Sequence, residues 1–172
     1  MSLQIRLARR RDIPLLMAVE RSAAQLFRRL PEWRFIADGE VMSAQRHADF
    51  IERRSEWLAE SREGAIAGFI AVQPQQADWH IAELSVADDW QRRGVGRQLI
   101  AAVADAAKRR GAHRLTLTTF AAVPWNAPYY RRLGFLPIEE PQLSPELRRH
   151  LAADAAHGFA ADSRCAMEFT LS

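Results

Sequence analysis

One segment near the middle of the chain has the residue types that a phosphate site needs. Gln91–Arg97 contains two glycines, which let a backbone approach a ligand closely, and three arginines that add positive charge. The apolar run Trp79–Val86 before it predicts a strand, and Gln98–Lys108 after it has the spacing of a helix. Because the first N–H groups of a helix point out of its N-terminus, the segment predicts a site for a phosphorylated ligand.

Two other phosphate-binding turns do not fit this segment. A dinucleotide-binding turn follows the first strand of its domain, with an acidic residue about 20 positions later. Here the turn lies mid-chain, and Leu99 stands where that motif has its third glycine. The chain contains no Gly-Lys-Ser/Thr, which excludes a Walker A loop. A turn with a purely structural role is the remaining alternative.

The elements around the turn alternate between strand and helix patterns. The strands are predicted at Leu3–Leu7, Trp57–Ser61, Ile66–Val72, Trp79–Val86, Leu115–Phe120, Phe135–Ile138 and Cys165–Leu171. The helices are predicted from an Asp12 N-cap to about Arg29, from a Ser43 cap to about Arg54, and at Gln98–Lys108, Asn126–Leu133 and Pro145–Ala156 after a Ser144 cap. Leu30–Gly39 and Gln73–Asp78 are predicted loops. The order predicts one α/β domain over residues 1–172 with a mixed sheet.

Composition narrows the classes of function. The net charge is +3, Lys108 is the only lysine, and the arginines are scattered among acidic residues, so we expect no nucleic-acid partner. Cys165 is the only cysteine, which excludes an intrachain disulfide and a cysteine metal cage, and no metal is expected. The longest apolar run, Ala65–Val72, is too short to span a membrane, and the N-terminus lacks a signal-peptide pattern. These features predict a cytoplasmic protein without membrane contact.

The turn and the later segment Pro124–Phe135 together resemble the GNAT superfamily of acetyl-CoA-dependent N-acetyltransferases. In that family a Gln/Arg-x-x-Gly-x-Gly/Ala turn holds the pyrophosphate of coenzyme A, and an Asn…Tyr…Gly-Phe segment follows the next strand. The resemblance covers Trp79–Phe135. It implies the GNAT fold, a central mixed, mostly antiparallel sheet of about six to seven strands flanked by helices.

The resemblance also implies an activity. The expected reaction moves acetyl from acetyl-CoA to a primary amine of a small molecule, peptide or protein, by direct attack through a tetrahedral intermediate. The alternative is a non-catalytic acyl-CoA-binding or regulatory module of the same fold, which does not need the tyrosine discussed below. A homodimer is compatible with the resemblance.

The positions that match the family's motifs indicate roles for individual residues. The resemblance assigns coenzyme A binding to Ser85, Val86, Gln91, Arg92, Arg93, Gly94, Val95, Gly96, Arg97 and Asn126. A plain N-cap is the alternative role for Asn126. Tyr130 matches the leaving-group acid, because a phenol with a pKa of about 10 can protonate a departing thiolate at neutral pH. Tyr129, its neighbour, is interpreted as a buried tyrosine that packs the sheet.

Glu83 is the expected general base. It lies in an apolar strand where a carboxylate costs desolvation energy, although a solvent-facing position is the alternative. Strand alternation places it on one face with Ile81 and Ser85. His80 is a second candidate base, for which a packing or surface role is favoured. Relatives form the acceptor site from the first two helices, which assigns amine binding to Glu20, Phe27 and Trp33.

Overall fold

A computed structural model describes residues 2–156 and 159–172 of the chain. The described strands form a seven-stranded sheet in the order β1-β2-β3-β4-β5-β7-β6. Strands β4 and β5 pair in parallel, whereas β1–β2, β2–β3, β5–β7 and β6–β7 pair in antiparallel orientation, so the predicted mixed sheet is confirmed. The strands are β1 Gln4–Leu7, β2 Glu56–Glu60, β3 Ile66–Gln75, β4 Asp78–Val86, β5 Arg114–Phe120, β6 Leu136–Pro137 and β7 Arg164–Thr170.

Helices and short 3-10 turns connect the strands. The helices are α1 Ile13–Ala24, α2 Arg34–Ala37, α3 Ala44–Glu52, α4 Val95–Arg109, α5 Ala127–Arg132 and α6 Pro145–Ala156. The 3-10 turns cover Arg10–Asp12, Gln25–Arg29, Pro31–Trp33, Asp88–Trp90, Glu140–Gln142 and Ala161–Ser163. The side chains of Ser43 and Ser144 accept hydrogen bonds from Arg46 N and Leu147 N, which confirms both predicted caps.

The predicted first helix and the loop after it were wrong in part. The α-helix ends at Ala24 and continues as a 3-10 turn to Arg29. Leu30 is extended, with φ −115° and ψ 109°, because the residue before a proline is disfavoured in the α conformation. Pro31 then begins a new 3-10 turn, and α2 follows it within the segment predicted as a loop.

Three further predictions differ from the structure. Strand β3 continues to Gln75 and β4 begins at Asp78, so the predicted loop shrinks to a two-residue turn. Helix α4 begins at Val95 rather than Gln98. Asp12 does not cap α1, because its carboxylate is bonded to Arg9 N and to the Arg6 guanidinium. The other boundaries agree within about two residues.

Backbone contacts group the described residues into two compact units. The first unit comprises the chain up to Pro74 together with Ile81–Ala106, and the second comprises Gln75–His80 and the residues from Ala107 onward. That the whole chain is one domain stays a prediction. In the described part of the chain, no helix has the length and apolar character needed to cross a membrane.

The first unit contains a buried polar pair. His47 Nδ1 of α3 lies 2.7 Å from Glu56 Oε2 of β2, and both side chains are fully buried. The His47 ring also meets the ring of Phe69 edge-on at 5.2 Å. His47 Nε2 and Glu56 Oε1 have no hydrogen-bond partner among the described residues. Burial raises the pKa of Glu56 above its ordinary value, and the bond to His47 opposes this shift only in part.

This raised pKa predicts a pH dependence of stability. The folded carboxyl keeps its proton to higher pH than the unfolded one, so its contribution is complete below the unfolded pKa and is lost as pH rises through the folded pKa. Glu56→Gln removes the titration. We therefore expect the free energy of unfolding of the variant, relative to wild type, to increase as the pH rises from about 4 to 8.

Urea unfolding across this pH range measures the difference. Glu60→Gln is the matched control, because the Glu60 hydrogen bond to Arg6 lowers the pKa of Glu60 and gives a trend of opposite sign. A Glu56→Gln difference that stays constant with pH contradicts the prediction.

Candidate functional site

The turn between β4 and α4 has a backbone that only a few residue types adopt readily. After β4 ends at Val86, the 3-10 turn Asp88–Trp90 leads to two left-handed residues, Arg92 with φ +65° and Gly94 with φ +78°. Glycine takes this conformation without steric cost, whereas an arginine is strained there. A Cβ at Gly94 meets no atom within 4 Å, so the requirement for glycine is conformational.

The same turn exposes backbone donors and positive charge. Gln98 N bonds to the Gly94 carbonyl, and helix geometry leaves the amides of Val95, Gly96 and Arg97 without a carbonyl partner in the helix. The side chains of three arginines around this helix end are exposed: Arg92, Arg93 and Arg97. The guanidinium of Arg93 lies over the Trp90 ring at 5.2 Å. Helix amides without a partner, the helix dipole and nearby cations are features that favour the binding of an anion.

A side-chain amide holds the turn in place. Gln91 Nε2 donates to the Val86 carbonyl at 3.1 Å, which links the turn back to the end of β4. Ala87 N donates to the Ala67 carbonyl of β3 at 2.9 Å. Gln91 was predicted to bind the ligand, and in the structure its side chain supports the shape of the turn.

Gly68 of β3 supports the start of α4 by close packing, which the sequence reasoning missed. A Cβ built on Gly68 lies 2.7 Å from the Ser85 carbonyl oxygen and 3.1 Å from Val95 Cγ1. No side chain fits at this distance, so the first turn of α4 can pack on β3 and β4 only over a glycine. The available signal was a glycine inside an apolar strand, which often marks a close backbone approach.

Strand β4 brings Glu83 and Ser85 together on one face, as predicted. Ser85 Oγ donates to Glu83 Oε1 at 3.1 Å, and Ser85 is buried while Glu83 is half-buried. The hydroxyl therefore fixes the position of one carboxylate oxygen. A carboxylate held in this way at the edge of the core can accept a proton from a nearby amine.

The residues that are predicted to bind the acceptor amine lie in α1 and the 3-10 turns after it. Glu20 Oε1 accepts a hydrogen bond from Met42 N at 2.9 Å, and burial raises the pKa of Glu20, with the Met42 N–H opposing the shift. Phe27 and Trp33 are half-buried, and the Trp33 ring lies 6.3 Å from the exposed ring of Phe35. Glu20 therefore has a backbone partner that the sequence did not indicate. An acceptor role for these residues stays a prediction.

Asn126 lies in the second unit, directly before α5. Its side chain does not cap α5, so the plain N-cap alternative is wrong. The amide Nδ2 instead donates to the Trp125 carbonyl at 3.3 Å, which leaves Oδ1 buried without a hydrogen-bond partner among the described residues.

Tyr130 also lies in the second unit and is 8% exposed. Its ring packs edge-on against Phe135, with 5.6 Å between the ring centroids. Tyr129 is the more exposed of the two tyrosines, so the expectation that Tyr129 is the buried one is wrong. The difference arises because α5 turns the Tyr130 ring toward the Phe135 ring at the end of the helix.

His80 has the packing role that the sequence favoured. It is buried, its Nδ1 lies 2.9 Å from Thr116 Oγ1, and its ring stacks on that of His150 at 3.9 Å. Among residues 2–156 and 159–172, no group of three or more His, Cys, Asp or Glu side chains is arranged to hold a metal ion.

The sequence of the chain also matches a known family over most of the segments described above. A model of the acetyltransferase (GNAT) family matches residues 21–135, which is more than half of the chain. The chain belongs to the GNAT acetyltransferase family. The matched range includes both the turn before α4 and the segment with Asn126 and Tyr130, so the resemblance inferred from the motifs is confirmed.

Solved structures of GNAT proteins have the same fold at low sequence identity. N-acetylglutamate synthase from Neisseria gonorrhoeae, complexed with coenzyme A and N-acetyl-glutamate, matches with a TM-score of 0.74 and 19% identity; the match covers 100% of this chain but only 36% of the synthase. PaiA N-acetyltransferase from Thermoplasma acidophilum, in complex with coenzyme A, has a TM-score of 0.72 at 16% identity and 99% coverage of both chains.

A third similar structure is the ribosomal-protein-S18-alanine N-acetyltransferase from Escherichia coli, with a TM-score of 0.69 at 19% identity. The match covers 99% of this chain and 95% of the enzyme. These similarities confirm the predicted GNAT fold.

The close approach at Gly68 gives a testable prediction. Gly68→Ala places a methyl group against the Ser85 carbonyl and Val95, so β3 or α4 must shift. We expect a loss of about 1–3 kcal/mol in the free energy of unfolding, as overpacking of a core costs, together with weaker binding of coenzyme A.

Thermal unfolding and calorimetric titration with coenzyme A measure the two effects. Gly39→Ala is the control, because a Cβ there lies 3.3 Å from the Ile36 carbonyl oxygen, a milder contact than the 2.7 Å at Gly68, and because Gly39 is exposed. Equal effects of the two substitutions contradict the importance of the contact at Gly68.

Proposed function

We propose that this protein is an acetyl-CoA-dependent N-acetyltransferase that acetylates a primary amine of a small molecule or peptide. The turn before α4 carries the proposal, because the left-handed backbone at Arg92 and Gly94 places free helix amides beside three exposed arginines. This arrangement suits a diphosphate, which coenzyme A contains.

The turn residues have separate tasks in the proposal. The amides of Val95, Gly96 and Arg97 bind the pyrophosphate oxygens, since a helix N-terminus favours negative charge. The exposed arginines add charge-assisted bonds. A main-chain N–H near Ser85 or Val86 polarises the thioester carbonyl and stabilises the oxyanion that forms during attack.

Two side chains move protons in the proposed reaction. Glu83 accepts a proton from the acceptor ammonium, directly or through water, and its bond to Ser85 holds it ready. The amine nitrogen then attacks the acetyl carbonyl and forms the tetrahedral intermediate. As the carbon–sulfur bond breaks, Tyr130 gives its phenolic proton to the departing thiolate, and the second proton lost by the nitrogen, carried through solvent, restores the phenol. We assign Tyr130 and Asn126 by their match to the family motif. The unpartnered Oδ1 of Asn126 supports its role as acceptor for an N–H of the pantetheine arm.

We propose that the acceptor amine binds near α1 and the turns after it, where Glu20, Phe27 and Trp33 lie. The half-buried rings supply an apolar wall, and the carboxylate of Glu20 adds negative charge for a cationic amine. Two similar structures come from enzymes named for acetylation of a protein alanine and for synthesis of an acetylated amino acid, which is consistent with an amine acceptor.

Binding of the donor is the first test. Acetyl-CoA at about 100 times its dissociation constant should stabilise the folded chain by about 2.7 kcal/mol, measured as a rise in melting temperature. Release of free thiol with a panel of amines then tests turnover. No thermal shift contradicts the proposal, and a shift without thiol release from any amine favours the non-catalytic acyl-CoA-binding module.

The role of Tyr130 has its own test. Tyr130→Phe removes the phenolic proton but keeps the ring packed on Phe135, so we expect kcat to fall about 100-fold while KM for acetyl-CoA changes little. Tyr129→Phe is the matched control and should retain wild-type kcat. A Tyr130→Phe enzyme with unchanged kcat removes Tyr130 from the mechanism.

A further inference from the structure

Helix α1 is tied to the turn before α4 by a reciprocal pair of hydrogen bonds. Ser22 Oγ donates to Asp88 Oδ1 at 2.6 Å and accepts from Asp88 N at 2.8 Å. Both residues lie in the first unit, 66 positions apart in the chain. Neither residue has a part in the roles assigned above.

The position of Asp88 affects the backbone of the turn that follows it. It is the first residue of the 3-10 turn Asp88–Trp90, through which the chain leaves β4 before reaching Arg92 and Gly94. Gln91 holds this turn from within, by its bond to Val86, whereas Ser22 holds it from a separate helix. A change in position at Asp88 is therefore passed along the backbone to the residues that shape the phosphate site.

The charge of Asp88 is a second reason why its position affects the binding of an anion at the turn. A carboxylate close in sequence to a site for an anion opposes anion binding when it is free to turn toward the site. Here Oδ1 is bonded both to Ser22 Oγ and to Asp89 N, the latter at 2.9 Å. The two donors fix the orientation of the carboxylate and partly neutralise its charge.

Helix α1 also carries Glu20, two residues before Ser22. Glu20 binds Met42 N, so the same helix holds the segment before α3 and the turn before α4. The helix that leads into the predicted acceptor region therefore fixes the start of the predicted donor site.

We propose that Ser22 is a positioning residue for coenzyme A, which acts through Asp88 to hold the turn Gln91–Arg97 in its binding conformation. The inference rests on the proposed function, because it concerns the same anion site. Ser22 does not contact the ligand in this proposal. Ser22 instead raises the fraction of molecules in which the turn already has the conformation that binds the pyrophosphate.

Calorimetric titration with coenzyme A tests the inference without knowledge of the acceptor. Ser22→Ala removes both bonds to Asp88, and we expect the dissociation constant to rise about 3- to 10-fold, the effect of a solvent-accessible hydrogen-bond pair. Ser22→Thr keeps the hydroxyl and should bind within about 2-fold of wild type. Ser43→Ala is the matched control: it removes another serine hydroxyl of the first unit, the cap of α3, and should leave the affinity unchanged.

A double-mutant cycle separates the link from general destabilisation. If Ser22 acts through Asp88, the double variant Ser22→Ala/Asp88→Ala binds coenzyme A no more weakly than Asp88→Ala alone. Melting temperatures of Ser22→Ala and Ser43→Ala should fall by similar amounts, although only Ser22→Ala loses affinity.

The outcomes distinguish the two proposals. Wild-type protein that does not bind coenzyme A overturns the proposed function and the positioning role together. If the wild type binds coenzyme A, three results overturn the positioning role alone. The dissociation constant of Ser22→Ala is unchanged, Ser22→Ala and Ser43→Ala lose affinity equally, or the losses of affinity in the double variant are additive.

Discussion

The close packing of α4 on strands β3 and β4 at Gly68 is the constraint on which the proposed phosphate site depends. A helix N-terminus can bind an anion only where its first turn is fixed, and here that turn packs through Val95 onto a position that has no room for a Cβ. The chain passes from the end of β4 at Val86 to the start of α4 at Val95 through the left-handed residues Arg92 and Gly94. The left-handed backbone costs about 1–2 kcal/mol at the arginine.

Three side chains near this turn donate hydrogen bonds to other groups of the protein: Ser22, Ser85 and Gln91. Their partners are a carboxylate at the start of the 3-10 turn, the expected general base, and the carbonyl at the end of β4. In the proposed function, these bonds hold the turn and the expected base in position before a ligand binds. A site arranged in advance loses little free energy in reorganisation when the ligand binds, which is the physical basis of electrostatic catalysis.

Local patterns in the sequence predicted the order of the elements, the glycine-containing turn between β4 and α4, and the shared face of Glu83 and Ser85. Alternation, capping and glycine spacing act over a few residues, so they can be recognised in the sequence. Contacts between distant segments could not be predicted in this way. The requirement for Gly68 comes from Ser85 and Val95, and the bond of Glu20 comes from Met42. The end of the first helix before Pro31 had a local signal and was predicted, whereas its change from α to 3-10 geometry after Ala24 was not.

Asn126 does not follow the local capping rule that Ser43 and Ser144 obey. Ser43 and Ser144 begin their helices as caps, and each satisfies an amide of the first turn. Asn126 has the same opportunity at α5 but makes no cap bond, and its Oδ1 stays buried without a partner among the described residues. Such an atom costs about 1–3 kcal/mol, which a purely structural position has no reason to retain. The cost is understandable if a ligand N–H supplies the missing bond, and this favours a binding role for Asn126 over a structural one.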